Sequence, residues 1–580
     1  MFVETVFMLT KKSLLIGLLI CQLQAIAQPA RRYDIVIHEI MADPSPAIAL
    51  PSNEWIELRN TSLVPINLAG WRISDATSTS GPMPNYILAP DSMVIVCTSS
   101  AVTAMSVYGA TIAVTSFPSL DNTGDLISIR SPQNTIIHAV NFTDAWYRSE
   151  LKKDGGWSLE MVDMKNPCTG YDNWMASTDL KGGSPGKKNA VATIHPDKEP
   201  PQLLRAFAAD NLHVILNFDE PLDSTIATNT SYYSISDGIG NPIAVNLPIP
   251  VFDKVQLQLN SPLVPNKIYT VTVRTIKDCV GNIIGSSNSA RLGLAKLADT
   301  GQIIVNEILF NPRPQGTDYV ELYNRSNAII DLKQLFIANR NSSNQVSNIK
   351  PLSADNYLFF PQDLLVFTEN PQQVRSQYVC QNPVSLLTVS PLPSFNDDKG
   401  NVVLLNAQGI IIDELAYEDQ WHFKLINNSE GVALERINYY VPTRVADNWH
   451  SAASSVGYGT PTYKNSQANS NTEINGELKV SPEIISPDND GLDDYAVIDY
   501  RFPTAGYIAN CSIFDASGRL VRYLQRNALC GTTGSFVWDG LGEKNQSLPV
   551  GIYILYAEVF NLQGNKKRFK LPMVLAQKKQ

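Results

Sequence analysis

The chain has 580 residues, 17% charged and 44% hydrophobic, with a formal net charge of −10. That length exceeds one hydrophobic core and predicts three to five domains at about 150 residues each, while the composition excludes a disordered chain. The acidic balance excludes general nucleic-acid binding, which needs clustered Lys and Arg; the one such cluster, Lys566-Lys567-Arg568, reads as a solvated turn.

At the N-terminus, Lys11-Lys12 precede the apolar run Leu14 to Ile20, and Ala25-Ile26-Ala27 places small residues at −3 and −1 before Gln28. Residues 1–27 are therefore predicted to be a secretion signal, since the run is too short for a membrane anchor. Met8 offers an alternative start. Cys21 suggests a lipoprotein, but Ile20 stands where a small residue is wanted before a lipidated cysteine.

Residues 33–190 and 301–467 are divergent copies of one module. Ile37-His38-Glu39-Ile40 matches Val305-Asn306-Glu307-Ile308, and Glu54-Trp55-Ile56-Glu57-Leu58 with Asn60 matches Asp318-Tyr319-Val320-Glu321-Leu322 with Asn324. Further on, Trp146 pairs with Trp421. Both copies close on Asp-Asn-Trp (Asp172-Asn173-Trp174 and Asp447-Asn448-Trp449), then Ser184-Pro185 or Thr460-Pro461, then Lys188-Asn189 or Lys464-Asn465. Alternation of period two over Tyr33–Ile40 predicts a strand with Ile35, Ile37 and Glu39 on one face. Similar runs at Ser92–Cys97, Leu126–Arg130, Ile303–Ile308, Leu364–Thr368 and Val402–Leu405 are each bounded by turn residues. Many short strands with frequent turns predict an all-β chain of antiparallel sandwiches.

His38-Glu39-Ile40, Glu57-Leu58-Arg59-Asn60 and Leu68-Ala69-Gly70-Trp71, with their counterparts in the second copy, resemble the lamin tail domain. The resemblance implies an Ig-like sandwich of about 110–120 residues, here followed in each copy by a Trp-rich extension. Between the copies, Asp197-Lys198-Glu199-Pro200-Pro201 reads as an extended linker. Residues 197–298, with Asp219-Glu220-Pro221-Leu222 and Asp278-Cys279-Val280-Gly281-Asn282, resemble the small bacterial Ig-like domains of surface-layer and adhesin proteins. After a polar linker over 469–477, residues 476–580 carry Ser486-Pro487-Asp488-Asn489-Asp490-Gly491, Trp538-Asp539-Gly540 and Pro549-Val550-Gly551-Ile552-Tyr553. That set resembles the gliding-motility-associated C-terminal domain, which implies another Ig-like sandwich read as an address by type IX secretion machinery. The expectation is four tandem Ig-like sandwiches after the signal peptide.

Six cysteines follow residue 27, none in a Cys-x-x-Cys pair, so the pattern of structural zinc is absent. Export permits disulfides. Cys97 and Cys168 both belong to the first copy and have no counterparts in the second, which predicts that they pair; Cys511–Cys530 is the second expected bridge. Asp488, Asp490, Asp493 and Asp494 around Gly491 place hard oxygen ligands close together, as a calcium loop requires, or else form an Asx-rich turn. The repeated Glu39/Glu307 and Glu57/Glu321 could suggest paired-carboxylate hydrolysis. Equally, each could accept hydrogen bonds within the fold, which is the reading preferred here. The repeated Asp-Asn-Trp tryptophans are expected as core plugs. No nucleophile, base and orienting group assemble, and no cofactor motif occurs. The sequence therefore predicts an exported, non-enzymatic structural or adhesive surface protein. Its expected partners are secretion machinery and an unidentified protein or glycan. The alternatives are glycan-binding modules serving a separate hydrolase and a cryptic hydrolase.

Overall fold

The computed structural model describes residues 30–469 and 476–577. The segment expected to be a secretion signal, residues 1–27, lies outside them, as does most of the expected second linker. Two compact units divide the chain: Met1–Pro262 with Tyr269–Arg291, and Leu263–Ile268 with Leu292–Gln580.

In the first unit, a six-stranded sheet runs in the order Trp174–Ala176, Leu159–Met161, Ile35–Met41, Trp55–Asn60, Met93–Cys97, Thr111–Ala113. It faces a sheet of Arg72–Ser74, Gly124–Arg130 and Ile136–Thr143. Ile35, Ile37, Ile56 and Leu58 from one sheet and Ile127, Ile129 and Phe142 from the other share the core. All pairings are antiparallel except the edge contact of Met93–Cys97 with Thr111–Ala113. The Trp-rich extension is thus no appendage, because it supplies two strands of the larger sheet. A second pair of sheets follows, built from Leu203–Ala208, His213–Phe218, Lys254–Gln258 and Ala244–Asn246 opposite Tyr233–Ile235, Tyr269–Val273 and Ser289–Leu292.

The second unit repeats the larger sheet strand for strand: Trp449–Ser451, Leu434–Arg436, Ile303–Leu309, Tyr319–Asn324, Leu364–Thr368, Leu386–Thr388. Its core partner is the four-stranded sheet Val346–Pro351, Leu335–Arg340, Lys399–Asn406 and Ile411–Glu418. The last sandwich sets Glu477–Ser481, Ala496–Arg501 and Thr533–Trp538 against a five-stranded sheet centred on Gly551–Phe560. The all-β sandwich architecture expected from the alternation is what these sheets form.

One expectation about side-chain direction is corrected. The pairing of Ile35–Met41 with Trp55–Asn60 slips at His38, between Ile37 and Glu39, and the second copy slips at Asn306, between Val305 and Glu307. A bulge adds a residue and reverses the phase of everything after it. Ile35 and Ile37 face the core, but the next core residue is Ile40. Glu39 therefore leaves the face of Ile35 and Ile37 and joins Glu57 on the outer face of the sheet.

Candidate functional site

That outer face holds the most unusual chemistry in the chain. Glu39, Glu57 and Glu160 in the first copy, and Glu307, Glu321 and Glu435 in the second, are all fully buried. Cross-strand register brings each trio together, with Glu39 opposite both Glu57 and Glu160, and Glu307 opposite both Glu321 and Glu435. A lid encloses them: the segment after the last strand of the sheet folds back over the carboxylates and supplies most of their donors. Ser184 donates its N–H to Glu39 Oε1 at 2.8 Å and its hydroxyl to Glu160 Oε1 at 2.8 Å. Ser158 Oγ donates to Glu39 at 2.6 Å, Gly186 N–H to Glu57 at 2.6 Å and Val191 N–H to Glu160 at 3.0 Å. In the second copy Thr460 donates N–H and hydroxyl to Glu307 and the same hydroxyl lies 2.7 Å from Glu435, while Thr462 N–H reaches Glu321 at 2.6 Å. Ser466 Oγ and Gln467 N–H complete Glu435, both at 2.8 Å.

Burial pushes the carboxyl of Glu39 well above its usual range, with the charges of Glu160 and Glu57 adding to it. Burial raises Glu321 in the same way, and pushes Glu435 to about 8 with help from Glu307. Raised carboxyls in a pocket often mark acid–base sites, but these atoms have no access to a substrate and are spent on the returning chain. The geometry is that of a latch, holding the C-terminal segment of each module against its sheet. The third glutamate escaped sequence reasoning, although Glu160 and Glu435 stand equally far ahead of Trp174 and Trp449.

The two latches differ in composition in ways that compensate. Asn306 donates from Nδ2 to both Glu321 and Asn465 Oδ1, each at 2.7 Å. His38 takes this place in the first copy. Its Nδ1 lies 2.8 Å from Asn189 Oδ1, and because Asn189 Nδ2 already donates to the carbonyls of His38 and Met161, that Nδ1 must carry hydrogen. His38 Nε2 stands 3.2 Å from Glu57 Oε2, off the line of a hydrogen bond, and neither atom has another partner.

A second exchange occurs at the bulge. The Ile37 N–H donates to His138 Nδ1 at 2.9 Å, and His138 Nε2 bonds the Pro167 carbonyl at 2.8 Å. Burial lowers this imidazole to about 4, so it is neutral. In the second copy Val305 N–H donates to Asp413 Oδ2 at 2.8 Å. The charge this introduces is met by Arg436, fully buried where the first copy has Met161, with Nη2 3.6 Å from Asp413 and Nε donating to the Val305 carbonyl.

The expected Cys97–Cys168 bridge is corrected: Cys168 bonds Cys279, 111 residues along, and joins the first sandwich to the Ig-like one. Cys97 is a free thiol in the apolar layer with Trp55 and Met105 on the outer face of the sheet, while Cys168 lies in the loop that faces the next sandwich. The Cys511–Cys530 bridge is also corrected. Both stand as free thiols in the last core, where burial raises Cys511 to about 12. Sequence comparison of the copies could see that Cys168 was unmatched, but not that its partner lay in another domain. The expected linker is likewise pinned, with Thr169 Oγ1 donating to Asp197 at 2.6 Å and Asn282 Nδ2 to the Glu199 carbonyl at 3.1 Å.

Of the four candidate calcium ligands, Asp488, Asp490 and Asp494 converge, with one oxygen of each within 4.8 Å of the others. Asp493 does not join them; it sits at φ +53° and offers its carbonyl to Ser486 N–H at 2.8 Å. Asp494 accepts the N–H groups of Asn489 at 2.7 Å and Gly491 at 2.9 Å, and Asp490 that of Leu492 at 2.9 Å. A second acidic group, Asp197, Glu220 and Asp278, lies beside the disulfide. Burial and the charge of Asp278 push Glu220 to about 9. The Asp-Asn-Trp tryptophans are core plugs as expected, Trp174 and Trp449 both being buried among aliphatic side chains.

These features define a class: an all-β chain of sandwiches, two of which are built on a six-stranded sheet of the same strand order. The family profile described as Lamin Tail Domain matches residues 28–144, and that described as bacterial Ig-like domain matches 197–291. No curated protein matches the chain. Among solved structures, it is similar to CopC from Methylosinus trichosporium OB3b at 17% identity, over 18% of this chain and 97% of that one, with a TM-score of 0.14. It is similar to the N-terminal part of the bacterial S-layer protein SbsC at 17% identity, over 28% and 44%, with a TM-score of 0.16. A third likeness is to PorZ, a surface component of the type IX secretion system of Porphyromonas gingivalis, at 11% identity, over 78% and 56%, with a TM-score of 0.16. Among the described residues, no helix is long and apolar enough to cross a membrane.

Proposed function

We propose that this is an exported, non-enzymatic protein of the cell surface or extracellular space, structural or adhesive in role. Its sandwiches act as semi-rigid spacers and present loops to a protein or glycan partner, and residues 476–580 address it to type IX secretion machinery. The observation that carries the reading is the Cys168–Cys279 bond. A disulfide that ties one sandwich to the next persists in an oxidising, exported setting and suits a chain that must hold its shape outside the cell. The lamin tail and bacterial Ig-like matches support the same reading. The hydrolase alternative loses its support because Glu39 and Glu57 are enclosed by the latch.

The test is fractionation of cells making the full chain or a chain lacking residues 476–580. The full chain should reach the surface and the truncated one should stay in the periplasm; surface delivery of both refutes the sorting role. Asp488, Asp490 and Asp494 are read as a closed Asx turn. Calcium should therefore leave the unfolding of the last sandwich where it was. A structural ion at a hundredfold excess over its Kd would add about 2.7 kcal/mol and raise that transition by roughly 10 °C or more.

A further inference from the structure

Each duplicated module carries a second tryptophan at the short helical turn that follows the outermost strand of its smaller sheet. Trp146 lies 6.0 Å from Trp174, ring centroid to centroid, and Trp421 occupies the matching place near Trp449. In both units the following sandwich walls a cleft against this pair. The first cleft is small, about 270 Å³, and is lined by Asp219, Glu220 and Asp253 with no basic residue. The second, at about 870 Å³, falls within the ~300–1,000 Å³ typical of ligand sites.

We propose that the second cleft binds a neutral oligosaccharide. The proposal rests on the surface reading above and gives it a ligand class and a site. Trp421 is half-buried, packed on the core by part of its ring and lining the cleft with the remainder. The negative face of an indole attracts the C–H face of a sugar ring. Around it the cleft presents hydrogen-bonding groups without charge: Gln420, Asn469, Asn561, Gln563 and Asn565, with His450. Asn561 is positioned by its own turn, its Oδ1 accepting the Asn565 N–H at 2.9 Å, so its amide hydrogens remain to donate. His450 is neutral because burial lowers its imidazole. Its Nδ1 bonds the Ser451 carbonyl at 2.9 Å, which leaves Nε2 as an acceptor. Gly506, at φ +82°, approaches that nitrogen so closely that a Cβ there would stand 3.1 Å from it. The loop can come this near only as glycine. Lys424 and Asp447 are the two charged residues of the lining and cancel. A flat aromatic face ringed by neutral amides matches hydroxyl-bearing, uncharged ligands and offers little to an anionic or cationic polymer.

The mature full chain should be titrated by calorimetry with maltohexaose, cellohexaose, xylohexaose, mannohexaose and chitohexaose, and with polygalacturonate and heparin as charged comparators. Saturable binding to a neutral oligomer is expected. Trp421→Ala and Gln563→Ala should weaken it at least tenfold, and Thr504→Trp, an exposed position that would fill the mouth, should abolish it. Trp146→Ala in the first cleft should leave it unchanged. Trp421 also packs on the core, so the Gln563 and Thr504 variants keep the test decisive if Trp421→Ala unfolds. Absence of binding across the neutral panel overturns the proposal. Unchanged affinity in Thr504→Trp, or preference for the charged polymers, does so as well. Binding to purified protein is independent of export, so failure here with surface delivery intact removes the cleft and leaves the surface reading standing.

Discussion

Arg436 and Asp413 give the sharpest test of how the second latch is built. Arg436→Met removes a fully buried guanidinium that donates to the Val305 carbonyl at 2.7 Å, the Val441 carbonyl at 2.9 Å and Thr443 Oγ1 at 2.5 Å. It also leaves the Asp413 carboxylate, nearly buried, without its counter-charge. Breaking one side of a buried pair costs about 3–5 kcal/mol. Changing Asp413→His as well restores the combination found in the first copy, where a neutral His138 accepts the bulge N–H and Met161 fills the slot. The double variant should therefore lose no more than about 1–2 kcal/mol, giving a coupling of roughly 2 kcal/mol or more in a double-mutant cycle. Hydrogen–deuterium exchange over Leu434–Arg436 in the full mature chain reads this locally, since each 1.4 kcal/mol is about tenfold in rate. Arg436→Met should speed exchange by about a hundredfold to a few thousandfold, and the double variant should recover most of it. Additive losses would refute the argument that the two copies exchanged a neutral pair for an ionic one.

Three further outcomes follow from the same geometry. His38→Asn, which installs the residue of the second copy, should be tolerated, whereas His38→Leu strands Asn189 Oδ1 and should cost about 1–3 kcal/mol; equal exchange at Gly186 in both variants would contradict this. Glu435 is raised to about 8 by burial and Glu307. The folded state therefore holds this proton more tightly than the unfolded one, and the stability it contributes is full below the ordinary carboxylate range and lost as pH rises towards 8. Glu39, Glu307 and Glu321 shift in the same direction, so the melting temperature should fall between pH 5 and 8, and Glu435→Gln should shrink that fall; an unchanged slope counts against it. Peptide mapping without reduction should recover Cys168 linked to Cys279, with the buried Cys97, Cys511 and Cys530 alkylated only after unfolding. Replacing the bridged pair by serine should cost up to about 5 kcal/mol for a loop of this length, and a Cys97–Cys168 peptide would contradict the assignment.

The sequence by itself determined the class of fold, the duplication and the core plugs. Alternation of period two and the frequency of turns are local properties, and burial of an apolar face follows from them wherever the sheet lies. What it could not determine was phase and partnership. One extra residue at His38 or Asn306 turns Glu39 and Glu307 to the outer face, and a bulge has no signature in composition. The latch needs strands and a returning segment that are more than a hundred residues apart, as Glu39 and Ser184 are. The disulfide partner of Cys168 was set by how the first two sandwiches of the chain dock, not by anything near Cys168 in sequence. Local pattern fixes which atoms are hidden; only the tertiary structure decides which hidden atoms meet, because burial is a property of each strand whereas contact is a property of pairs distant along the chain.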